Sequence, residues 1–348
     1  MKRARWLLPA LIVVGACNAA APALYRYYLP AMLGPVAVEV QMITTTDARA
    51  RRAVQAGSAE VSKIHNLLSR YLEASEVSRI NRQSGRETHA SAQTVEVVRR
   101  AIEIARLTDG AFDITVGPLV ALWRDAIRSG ELPDPEELER ARGLVGYQQI
   151  TVGDNSVTLE KPGMSIDLGG IAKGYAVDRV VRALRDTGIE DALVDAGGDG
   201  YAMGLNAQAE PWRIGLEHPR QEGRAPLGIV LRLSDRAYAT SGDYRQYTEI
   251  DGERYSHIID PRTGRPAREA ASATVVAPDC MTADALATAL LVMPPEAGVE
   301  LVDSLEDVEC LIITIRDDEL HKIASSGFYD LTDDARDRPA DSDDDSSE

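Results

Sequence analysis

Residues 166–178 read IDLGGIAKGYAVD: an apolar approach, a glycine pair, a lysine, and a stretch that opens like a helix. Two readings compete. Glycines between a strand and a helix can turn backbone N–H groups toward an anion, and a nearby lysine adds charge. The same glycines can also make a tight strand-to-helix turn and nothing more. Gly169, Gly170 and Gly174 match neither G-x-G-x-x-G nor the longer loop that ends in G-K-[ST], which favours the turn.

Working outward, the hydrophobic period switches repeatedly between helix and strand. Downstream of the glycines, Ala176, Val177, Val180, Val181 and Leu184 form a helical stripe that Gly188 can end. Upstream, ITVGDNSVTLE (150–160) alternates with period two around Asp154-Asn155 and predicts a hairpin, as does YTEIDGERYSHI (247–258) around Asp251-Gly252. Helices are predicted over 47–69, with Val54, Val61, Ile64, Leu67 and Leu68 at helical spacing, and over 94–108, with Gly110 as its stop. Another is predicted after Asp134, with Pro135 at its first position, Glu137 at N3 and Gly143 beyond its end. Strands are expected at 36–43, 192–196, 226–233, 271–277 and 309–315. Helices and hairpins without a regular βαβ repeat predict an α+β fold with mixed, largely antiparallel sheets.

The chain has 348 residues, 44% of them hydrophobic, enough for a sizeable core. A net charge of −17 and only two Phe and three Trp argue against nucleic acid as a partner, since phosphate affinity needs clustered Lys and Arg. The acidic residues of 329–348 predict a disordered tail. At the other end, Lys2, Arg3 and Arg5 precede WLLPALIVVG and then Ala16-Cys17, the pattern of a secretory signal over 1–16. Val14-Gly15-Ala16-Cys17 resembles a bacterial lipobox, which would make Cys17 a lipidated N-terminus and anchor an exported protein to a membrane. An uncleaved anchor is the alternative, because apolar residues continue to Leu24. Residues 17–35 read as a linker, and the folded domain as 36–328. Cys280 and Cys310 have no metal-ligand spacing and no C-x-x-C partner, and a disulfide between them stays open.

Several stretches could carry chemistry. In MTADALATALLVM (281–293), Asp284 and Thr288 are four apart and share a helix face. A carboxylate and a hydroxyl are hard oxygen donors of the kind Mg²⁺ takes, although Asp and Thr at that spacing are far more often a solvated helix face. His257 in SHIIDPRTG (256–264) ends a strand, placed either for proton transfer or as an ordinary polar residue beside a turn. GAFDITVGPLVALW (110–123) reads as a shaped loop, and TSGDY (240–244) as a compact turn.

In order, SRYLEASEVSRIN (69–81), GAFDITVGPLVALW, IDLGGIAKGYAVD, DAGGD (195–199), TSGDYRQY (240–247), HIIDPRTG (257–264) and MTADALATAL (281–290) resemble the FAD:protein FMN transferases, the ApbE-like flavin transferases. The resemblance implies an ApbE-like fold and an enzyme that binds FAD and Mg²⁺, transfers FMN to a Thr or Ser of an acceptor protein, and releases AMP. It implies Mg²⁺ held by Asp284, Thr288 and the main-chain carbonyl of Gly170. Asp167, Lys173, Tyr71, Ala111, Phe112, Asp113, Ile258 and Met32 fall on FAD-contacting positions, and His257 on the place of the general base. Where the family carries Met-Gly-Thr before the first strand, this chain reads Met32-Leu33-Gly34-Pro35. The implied partner is an acceptor subunit of a redox pump or electron-transfer complex, met on the periplasmic side of the inner membrane. An FAD pyrophosphatase and a non-catalytic exported flavin-binding lipoprotein are the alternatives.

Overall fold

The computed structural model describes residues 21–29, 37–221, 225–244, 247–250, 253–317 and 319–333. Cys17 and Met32 lie outside them. Among the described residues the first elements are strands β1 (Ala23–Leu29) and β2 (Val38–Thr44), then helices α1 (Asp47–Leu68) and α2 (Glu76–Arg82). Next come β3 (Glu87–His89) and three helices, α3 (Ala92–Leu107), α4 (Gly117–Ser129) and α5 (Pro135–Arg142). A hairpin of β4 (Ile150–Val152) and β5 (Ser156–Leu159) leads to α6 (Ala172–Asp186). The strands β6 (Asp191–Asp195), β7 (Asp199–Met203), β8 (Trp212–Glu217), β9 (Pro226–Leu233), β10 (Arg236–Gly242), β11 (Tyr247–Ile250), β12 (Glu253–Ser256) and β13 (Ser272–Ala277) follow. Helices α7 (Cys280–Leu290) and α8 (Pro295–Asp303) precede the last strands, β14 (Glu309–Arg316) and β15 (Glu319–Ala324).

Eight strands form the main sheet in the order β1-β2-β6-β7-β10-β13-β14-β15, and each neighbouring pair in it is antiparallel. The α+β expectation holds. Period-two alternation puts Val38, Val40 and Met42 of β2 on one face, where they join a core with α1, α3, α6 and α7. On the other face Tyr238, Val276, Leu311 and Ile313 meet Trp212, Ile229 and Leu231 of the β8–β9 hairpin and the buried Phe328. β13 is buried along its whole length because both faces are covered.

The helices follow their punctuation. Thr46 accepts the Arg49 N–H to open α1, and Asp134 accepts the Glu136 and Glu137 N–H groups to open α5. Four readings need correction. Residues 117–129 are helix α4 and not a loop: Pro118 sits in the first turn, where its missing N–H costs nothing, and Gly130 closes the helix at φ 75°. Thr240, Ser241 and Gly242 of the expected turn are the end of strand β10. The expected linker 17–35 contains β1, which pairs with β2 from Ala23–Thr44 to Leu29–Val38. At the far end Tyr329 is buried and the Asp333 N–H donates to Val230 O at 3.0 Å, so the fold continues into the expected tail. Cys280 and Cys310 are free, buried thiols.

Candidate active site

The stretch before α6 is pinned by backbone bonds. Ile166 exchanges two hydrogen bonds with the Asn81 side chain, at 2.8 and 2.9 Å, and the Asp167 N–H donates to Ile114 O at 2.7 Å. Asp167 then accepts the Gly169 N–H at 3.0 Å and pairs with Arg70 Nη1 at 2.9 Å. Arg70 also donates to the Tyr71 hydroxyl at 2.8 Å and lies 4.8 Å from the centre of its ring. Tyr71 itself is exposed, leaving its ring available for stacking. Arg70 is therefore the joint between two expected flavin contacts, and sequence reasoning missed it.

Ala111 and Phe112 are buried beside this stretch. Asp113 is buried too, but its carboxylate is committed inward. It accepts the Thr115 N–H at 2.8 Å, the Thr115 hydroxyl at 2.6 Å and the Tyr147 N–H at 2.8 Å. Burial raises its pKa, and these bonds oppose the shift. Its geometry is that of a loop organiser.

The glycines of 166–178 serve close approach. A β-carbon on Gly170 would lie 3.0 Å from Thr288 Oγ1 and 3.3 Å from the Phe112 ring, so this backbone lies directly against α7. A β-carbon on Gly174 would lie 2.1 Å from the Cys280 carbonyl oxygen, a contact only glycine permits. That approach brings the start of α6 onto α7. The Gly174 N–H donates to Asp284 Oδ2 at 3.0 Å, and Lys173 Nζ stands 3.6 Å from Asp284 Oδ1. Lys173 also pairs with Asp199, the first residue of β7. Thr288, one turn beyond Asp284, shares a hydrogen bond of 3.3 Å with Ser241 at the end of β10.

Asp199 and Asp284 are each 1% exposed. Two buried carboxylates thus share one ammonium, and Asp199 Oδ1 has no hydrogen-bond partner among the described residues. Buried charge of this kind is costly unless matched, so the net negative cluster is suited to a further cation. No group of three or more His, Cys, Asp and Glu among the described residues could hold a metal. A metal here would rest instead on a carboxylate, a hydroxyl and a carbonyl. Sequence reasoning also missed Asp199 and Ser241.

His257 follows β12 and is exposed. The half-buried Ile258 donates its N–H to Ser256 Oγ at 3.1 Å, and its carbonyl accepts the Ala267 N–H at 2.8 Å. The loop they begin is closed by the Gly264 N–H to Asp260 O at 2.8 Å. Trp123 of α4 donates to Gly264 O at 2.8 Å, and Arg262 donates to Val292 O at 3.1 Å, just past the end of α7. The structure thus unites Gly170, Lys173, Asp284 and Thr288 with Phe112, joins Asp167 to Tyr71 through Arg70, turns Asp113 inward, and puts His257 and Ile258 on a loop fastened beyond α7.

The family model that matches this chain, the ApbE family, aligns with residues 36–312. The chain belongs to the ApbE family. Its relatives include the FAD:protein FMN transferase of Vibrio cholerae, 42% identical over 272 residues, which are 77% of this chain and 81% of that protein. The FAD:protein FMN transferase of Haemophilus influenzae is 36% identical over 299 residues, 83% of this chain and 85% of that one. Among solved structures, the flavin transferase ApbE from Vibrio cholerae superposes with a TM-score of 0.80 at 36% identity, covering 89% of this chain and 99% of its own. The ApbE protein of Thermotoga maritima gives a TM-score of 0.78 at 34% identity over 89% of this chain and 99% of its own. The ApbE-like fold implied by the motifs is the fold observed. The ApbE match also spans every residue of the buried cluster and the His257 loop.

Proposed function

We propose that this protein is an FAD:protein FMN transferase, which moves the FMN half of FAD onto a Thr or Ser hydroxyl of an acceptor protein and releases AMP. In a member of the ApbE family, the observation that carries the reading is the buried cluster of Asp199, Asp284 and Lys173 set against the Gly170–Thr288 contact. A pyrophosphate substrate needs cationic charge at that position.

The donor set fits Mg²⁺, with Asp284, Thr288 and the Gly170 carbonyl as hard oxygen ligands, and Asp199, whose Oδ1 has no hydrogen-bond partner among the described residues, joined to Asp284 through Lys173. Bound there, Mg²⁺ would neutralise charge on the pyrophosphate and on the departing AMP. Lys173 adds its ammonium to the same region. Asp167 and Tyr71, held in one unit by Arg70, bind and orient the flavin nucleotide. His257 takes the proton from the acceptor hydroxyl as its oxygen bonds to the FMN phosphorus and the bond from that phosphorus to AMP breaks. The hydrogen bonds that hold the loop following His257 support this role, because a base must be placed before it can act.

The reading extends to location. The basic Lys2, Arg3 and Arg5, the apolar run and Val14-Gly15-Ala16-Cys17 support an exported protein held by a lipid on Cys17 at the periplasmic side of the inner membrane. There its acceptor would be a subunit of a redox pump or electron-transfer complex. No helix among the described residues is long and apolar enough to cross a membrane. The test of function is incubation with FAD, Mg²⁺ and a candidate acceptor domain: covalent FMN on the acceptor supports transfer, free FMN with AMP supports hydrolysis, and unchanged FAD supports binding alone.

A further inference from the structure

The two helices that carry the buried cluster cap each other. α6 offers the N–H of Gly174, in its first turn, to Asp284 of α7 at 3.0 Å. α7 offers its first two N–H groups, those of Cys280 and Met281, to Asp178 Oδ1 and Oδ2 of α6 at 2.8 and 2.9 Å. The N-terminal amides of a helix have no partner within it and must find one elsewhere. On α7 the local cap, Asp279, serves only the third, Thr282, at 2.8 Å. Gly174 and Asp178 are four apart on α6, as Cys280 and Asp284 are on α7, so each pair lies on one helix face. Between the two carboxylates sits the Gly174–Cys280 contact.

A carboxylate that accepts from two consecutive N–H groups fixes both the axial position and the rotation of the helix it caps. A slip of one residue would displace those donors by about 1.5 Å and turn them by about 100°. We infer that Asp178 is a positioning residue for the transfer site: by pinning the first turn of α7 to α6 it sets the register at which Asp284 and Thr288 face Lys173 and Gly170. The inference rests on the proposed metal role of Asp284 and Thr288. It assigns the last residue of IDLGGIAKGYAVD a task distinct from those of Asp167, Gly170 and Lys173.

The test is calorimetric titration of Mg²⁺ into the full chain as wild type, Asp178→Asn and Asp284→Ala, at a temperature where circular dichroism shows each folded. Asparagine has one acceptor oxygen, so one amide of α7 loses its partner. Asp178→Asn should bind Mg²⁺ about tenfold or more weakly, as expected when a partner outside the ligand shell is changed. A role confined to stability would lower the unfolding midpoint and leave the Mg²⁺ dissociation constant of the folded protein unchanged, and that result overturns the inference. Equal binding by Asp284→Ala and wild type overturns the metal reading and the inference with it. Lost binding in Asp284→Ala beside intact binding in Asp178→Asn overturns the inference alone. Should Asp178→Asn not fold, amide exchange in the wild type decides. Mg²⁺ at about 100 times its dissociation constant should slow exchange at Cys280 and Met281 by about 100-fold, because opening there and metal binding exclude each other. Unchanged exchange at these two amides overturns the inference.

Discussion

Gly174→Ala separates packing from helix propensity by the sign of its effect. Propensity alone makes alanine the better residue inside a helix by about 1 kcal/mol. The structure predicts the reverse. The new β-carbon would stand 2.1 Å from the Cys280 carbonyl oxygen, 2.6 Å from its carbon and 2.8 Å from Met281 Cα. Close carbon–oxygen contacts in proteins lie at about 3.3 Å or more, so α6 and α7 must part by roughly 1 Å at this point. All three obstructing atoms are backbone, so no rotamer change relieves them. Overpacking of this kind costs about 3 kcal/mol, and after the propensity gain the variant should be less stable by about 2 kcal/mol. The same displacement stretches the 3.0 Å bond from Gly174 to Asp284 past hydrogen-bond range, so Mg²⁺-dependent activity should fall as well. Urea denaturation of the two proteins supplies the comparison. A Gly174→Ala protein about 1 kcal/mol more stable than wild type would refute the close-approach argument.

Other expectations concern the site. Asp284→Ala should remove Mg²⁺-dependent turnover, and a variant with the wild-type response to Mg²⁺ would take Asp284 out of the metal site. His257→Ala should slow transfer by about 10²–10⁴-fold, the usual contribution of a general base, while FAD binding measured by fluorescence stays unchanged; transfer near the wild-type rate would place the base elsewhere. Burial pushes the Asp178 carboxyl up to about 7, whereas in the unfolded chain it ionises near pH 4, at about its ordinary value. Between those values the folded state holds the extra proton, so this group makes stability fall as pH rises through the window. Asp178→Asn should flatten that part of the profile, and an unchanged slope would count against the buried setting of Asp178.

The sequence exposes what is local. Thr46, Ser91 and Asp134 cap helices within their own turns, and the stripes of α1 and α6 depend only on spacing. Helix α4 hid behind Gly117-Pro118, which punctuates loops and opens helices alike, so only packing of Leu119 and Trp123 settles it. β1 was masked by its continuity with an apolar N-terminus; its assignment comes from pairing with β2. At the site, Asp284 and Thr288 are visible as neighbours because one helix carries both. The link from Lys173 to Asp199 spans 26 residues and that from Gly174 to Asp284 spans 110. Such pairings are made by the sheet order and the crossing of α6 on α7, and no spacing rule reports them. For Asp113 the motif marks a flavin-contacting position, and only the fold shows that its carboxylate oxygens accept from Thr115 and Tyr147.

The central claim is that the acceptor hydroxyl, and not water, receives the FMN phosphorus. The direct measurement is the ratio of AMP released to FMN bound covalently to the acceptor, with FAD and Mg²⁺ present and the acceptor Thr or Ser either intact or replaced by Ala. The account predicts one AMP for each flavinylated acceptor, and little AMP when the hydroxyl is removed. AMP release at the same rate with the Ala acceptor, accompanied by free FMN, would contradict it.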